Sequence, residues 1–122
     1  MNVAANAGSP LPNLVTVSGG GETNTANDTF TDSTVVLGPA DLTVNMTHFG
    51  SFTQGQVGAT YTITVFNAPG VGPVFAGNTV TVVDTLPPGF TATAMTGPGW
   101  TCVVLTVTCT RSDTLASNSN YA

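Results

Sequence analysis

Two cysteines, one histidine, one arginine and six acidic side chains are the thiol, imidazole and charged side chains of these 122 residues. Cys102 and Cys109 flank the run VVLTVT. A hairpin bending at Val104–Thr106 would set them on facing strands, at a separation that fits a disulfide. Free thiols are the alternative. A metal site needs more than two ligands, and His48 is distant in sequence. A reactive thiolate needs a cationic neighbour, for which Arg111 is the only candidate. A disulfide places the chain in an oxidising compartment, outside the cell.

The remaining polar groups point to no catalysis. His48 ends an alternating run and precedes Phe49-Gly50, where an imidazole is exposed or locally satisfied. Glu22, Asp28, Asp32, Asp41, Asp84 and Asp113 sit mostly beside turns, so neither a Ser–His–acid set nor a carboxylate pair can be assembled. Gly19-Gly20-Gly21 follows a strand-like run, but a phosphate cradle needs a helix next and usually a lysine. The sequence continues ETNTANDT, so the glycines read as a hairpin connection. Asp28, Asp32 and Asp41 are the candidates for calcium, the first two four residues apart and the third just past Gly38-Pro39. Calcium takes oxygen ligands of this kind, yet turns collect Asp for local hydrogen-bonding reasons too. The expectation is no metal and no cofactor. Two sequons, at Asn27 and Asn45, are compatible with surface glycosylation.

The elements that carry these residues are strands. Thr, Val and Gly number 23, 16 and 14, while Glu, Gln, Lys and Arg together number four. Helix formers are scarce, and Thr and Val suit a pleated surface. Alternating runs appear at 13–18, 29–37, 41–47, 56–67 and 78–85. FTATAMT (90–96) alternates small and large residues, and a hairpin spans 100–111. Pro and Gly punctuate between them. The tail SDTLASNSNYA reads as a loop. The clearest strand is QVGATYTITVFN, with Tyr61, Ile63 and Val65 on one face. Short strands at regular spacing predict an all-β antiparallel sandwich. Its core should hold Leu42, Val44, Tyr61, Ile63, Val65, Val80, Val82, Phe90 and Trp100.

Charge narrows the partners. Only 6% of residues are charged and the net charge is −5. One arginine cannot neutralise a nucleic-acid backbone or anchor a protein electrostatically on a membrane. No apolar run is long enough to insert in a bilayer. The start, MNVAANAGSPLPN, lacks the basic and apolar regions of a signal peptide and reads as a truncation.

Three motifs carry a resemblance: D-L-T-V at 41–44, G-x-T-Y-T-I-T-V-x-N ending at Asn67, and V-x-D-T-L-P-x-G-F ending at Phe90. The Trp-Thr-Cys and Val-Thr-Cys pair follows. Residues 40–112 resemble the prokaryotic surface repeat called domain of unknown function eleven, an Ig-like sandwich of large secreted and cell-surface proteins with no general catalytic activity. The family often carries Lys after D-L-T-V, where this chain has Asn45-Met46. With no lysine present, a Lys–Asn isopeptide crosslink is impossible.

Residues 1–37 resemble the closing strands of the same repeat, out of phase. The resemblance thus implies closing strands at 1–37, a short link at 38–40 and the main body at 41–122. Three linking residues reach about 10 Å, against some 20 Å for a sandwich of six-residue strands. The expected function is a structural subunit or tandem repeat of an extracellular fibre, stalk or surface layer. Its partners would be copies of itself, joined head to tail by strand donation. An adhesion or carbohydrate-binding module of a large prokaryotic surface protein is the alternative.

Overall fold

The computed structural model describes residues 1–121. Apart from two single-turn 3₁₀ segments, Thr25–Asn27 and Val104–Thr106, every regular element among them is a β-strand. The chain divides into two units, Met1–Gly38 and Pro39 onward.

The first unit is a hairpin of β1 (Leu11–Thr16) and β2 (Thr29–Thr34). Leu11 lies opposite Thr34 and Thr16 opposite Thr29. The Val17 amide donates to the Asp28 carbonyl at 2.8 Å and prolongs the ladder. Gly19, Gly20 and Gly21 turn the chain at φ 102°, 68° and 78°, a region that side-chain-bearing residues avoid. The triple glycine is therefore the hairpin connection that its sequence context predicts. No residue of this unit is buried.

The second unit holds β3 (Leu42–His48), β4 (Tyr61–Asn67), β5 (Val80–Val83), β6 (Thr101–Val103), β7 (Thr108–Arg111) and β8 (Ser119–Tyr121). They form two antiparallel three-stranded sheets, β3-β4-β8 and β5-β7-β6. The sheets meet through a small core of Val65, Val74, Val80, Leu115 and Tyr121, against which Ala40, Val82 and Trp100 pack. The all-β antiparallel class is as the composition dictates.

Several expectations need correction. Leu42, Val44, Tyr61 and Phe90 were expected inside, yet they are 40%, 66%, 36% and 43% exposed. The second sheet has strands of only three or four residues and does not extend over them. The tail is not a loop. Leu115 and Val74 exchange backbone hydrogen bonds of 2.9 and 3.0 Å, and β8 adds to β4 with Tyr121 opposite Val65. The run 90–96, despite its alternation, forms no strand. The connection between β2 and β3 covers residues 35–41, because Val35–Leu37 leave the ladder.

Candidate functional site

The second unit is closed at one end and open at the other. The closed end is organised by Asn67, which is 0% exposed. It falls in the apolar phase of β4, two residues after Val65. Its Oδ1 accepts from the Asp41 amide at 3.0 Å. Its Nδ2 donates to the Gly72 carbonyl at 2.9 Å, and to those of Ala116 and Leu115 at 3.3 and 3.4 Å. One amide thus ties the entry to β3, the turn after β4 and the segment leading to β8. Burying an amide is tolerable only with such partners.

Arg111 forms a second knot. Its guanidinium grips the Asp113 carboxylate in a fork, Nε to Oδ1 at 2.5 Å and Nη2 to Oδ2 at 2.6 Å. A third donor reaches the Pro98 carbonyl at 2.9 Å. The same cation lies 3.9 Å from the Tyr121 ring centroid and 5.8 Å from that of Trp100. The two rings meet edge to face at 5.6 Å. Gly99, at φ 77°, lets the guanidinium approach: a Cβ there would stand 3.0 Å from Cζ. The Tyr121 hydroxyl donates to the Asp113 carbonyl. The Arg111 fork holds the Asp113 carboxyl below its ordinary value, and the same hydrogen bonding raises that of Arg111. Burial raises that of the Tyr121 phenol.

The open end is a groove of about 1050 Å³. One wall is β4, through Tyr61, Ile63 and Val65; the other is Val82, Asp84 and Cys109 on and beside β5 and β7. Segments 52–60 and 86–97 form its lips. Four rings crowd one rim: Phe52 lies 5.0 Å from His48, 5.3 Å from Tyr61 and 6.2 Å from Phe90. They are inclined to one another by 48–78° across those contacts, so they present no flat platform. Residues 91–96 make no backbone hydrogen bond with any described residue.

Cys102 and Cys109 are joined in a disulfide, opposite each other on β6 and β7. The turn between them is at Val104–Thr106, where the sequence places it. Val107 completes that turn at φ 48°, an unusual left-handed position for a β-branched residue. Asp28 caps the first 3₁₀ turn, Asp32 accepts from Thr34 Oγ1 at 2.8 Å, and Asp41 binds Asn67 through its backbone. Among the described residues, no three His, Cys, Asp or Glu side chains gather into a group able to hold a metal ion. Asn27 and Asn45 are both exposed. No helix among the described residues is long and apolar enough to cross a membrane.

Asn67 and Arg111 are the organising residues that the sequence reading missed. A polar residue in the apolar phase of the clearest strand was the signal for Asn67. For Arg111 it was a lone cation in a chain otherwise without bases. The chain matches no protein-family model, no curated protein and no solved structure.

Proposed function

We propose that this protein is a structural, non-catalytic subunit of an extracellular assembly, a fibre, stalk or surface layer, whose copies join head to tail. One observation carries the reading: the chain holds a half-open β-sandwich and a two-stranded hairpin unit with no buried residue. An isolated two-stranded hairpin is marginal in water, and an open groove with apolar side chains on its β4 wall and free strand edges beside it invites strands from elsewhere. Each part has what the other lacks. A contact that uses different surfaces on the two partners propagates into a filament unless the rotation closes a ring. The disulfide favours an oxidising, extracellular setting. An Ig-like lineage on a prokaryotic surface rests on the sequence resemblance alone.

Deleting residues 1–37 tests this. The truncated chain should no longer form filaments, and the 1–37 segment added as a peptide should bind and stabilise it. A monomeric truncated chain that is as stable as the whole and ignores the peptide would sink the reading.

The aromatic rim around Phe52 favours a second reading, an adhesion or carbohydrate-binding module. Inclined rings suit sugar stacking poorly, which places it behind assembly. Oligosaccharide binding lost in Phe90→Ala, with no filaments under any condition, would reverse that order.

A further inference from the structure

The two sheets are offset, and the offset identifies where a donated hairpin goes. In an antiparallel pair, residues opposite each other share a face. Val65 faces the core and is 4% exposed; Val44, its neighbour on β3, is 66% exposed on that same face. Leu42 and Met46 continue the face at 40% and 50% exposure. The covering sheet therefore ends over β4. On the far side of β4, Tyr121 of β8 lies under Arg111 of β7 and beside Trp100, which precedes β6. So β6 and β7 stand over β8, and β5 stands opposite β4 across the core and the groove. In the sheet order β5-β7-β6, the outer edge of β5 is unpaired among the described residues. A strand added to that edge would lie over β3.

We infer that the β1–β2 hairpin of a second copy adds to the free edge of β5 and covers the Leu42–Val44–Met46 face of β3. This rests on the head-to-tail reading and specifies its contact. The occupant is a second copy because every copy carries a hairpin whose strand lengths and apolar face match this gap. Its hairpin supplies two strands of six residues to cover a strand of seven. One hairpin face bears Val15 opposite Phe30, with Val17 beyond, exposed by 60%, 69% and 63%. Neither face carries a base, and the groove wall holds one acid, Asp84. Asp32 shares the Val15 face and already accepts from Thr34. Its carboxylate must then lie at an open end of the groove. Backbone pairing along β5 would supply affinity, and the Val15–Phe30 face on β3 would supply register.

Full-length Val44→Asp and Phe30→Asp variants test this. Both sites are exposed in the single chain, so each variant should fold, with a far-ultraviolet spectrum like the wild type. Each alone should lose filaments. Mixed, they should form a dimer of twice 12.3 kDa, because the Val44→Asp copy keeps a competent hairpin and the Phe30→Asp copy a competent groove. Filaments retained by Val44→Asp but lost by Phe30→Asp would overturn this contact and leave hairpin donation standing. Filaments retained by both would overturn donation itself. Two monomeric variants that do not pair when mixed would contradict the inference.

Discussion

Asn67 and the Arg111 knot hold the closed end with few groups, so single substitutions there should be costly. Replacing Asn67 by Ala removes the partner of the Gly72 carbonyl and of the Asp41 amide, while the Leu115 carbonyl keeps its bond from Val74. Each buried polar group left unpaired costs about 1–3 kcal/mol. Chemical denaturation of Asn67→Ala should show a loss of at least about 2 kcal/mol; a smaller loss would mean that water replaces the amide. Tyr121 and Asp113 both contribute to the pH profile. The Asp113 carboxyl titrates lower in the folded chain. Its contribution is present above the ordinary carboxylate value, about 3.9, and is lost as pH falls through the folded value. The Tyr121 phenol titrates higher. Its contribution is complete below about pH 10 and is lost as pH rises through the folded value. Thermal midpoints should thus be flat near neutrality and fall at both extremes. Tyr121→Phe should flatten the alkaline fall; an unchanged fall would assign it to other groups. Of these residues, sequence alone exposed only the cysteines in their final role. Hydrogen bonds from Asn67 and Arg111 cross the chain to residues distant in sequence, and local patterns do not encode such partners.

Among the elements, β4 was legible because its alternation is strict and its turn signal, Ala68-Pro69-Gly70, is strong. The β6–β7 hairpin was legible from the cysteine spacing. β8 was not: Ser119–Tyr121 has one apolar anchor, and only pairing with β4 makes it a strand. FTATAMT failed the other way. Its alternation fits a strand, but it pairs with no described strand. The exposed face of β3 reflects the same cause, since alternation predicts which residues share a face but not whether that face is covered. The disulfide belongs to this scale, as a staple on the β6–β7 hairpin beside the groove wall. Closing so short a loop stabilises by about 2 kcal/mol in the chain-entropy model. Reduction should lower stability by about that amount, read from denaturation with and without reductant, and should leave assembled filaments in place. Filaments that dissolve on mild reduction would show the disulfide acting in the contact itself.

At the scale of the whole molecule, the chain has one ion pair among its described residues and little charge with which to repel its copies. Close packing between copies is then permitted, and solubility falls to Thr, Ser and Asn side chains. An apolar and backbone-paired contact should respond weakly to salt. Sedimentation from low to moderate ionic strength should show little change in the assembled fraction; a steep loss would point to ionic contacts. The central claim, that each copy is completed by the next, is met most directly by negative-stain electron microscopy of the purified full-length chain over a range of concentrations. Unbranched filaments that lengthen with concentration are the predicted result. A uniform field of single particles, monomeric by sedimentation at every concentration, would contradict it.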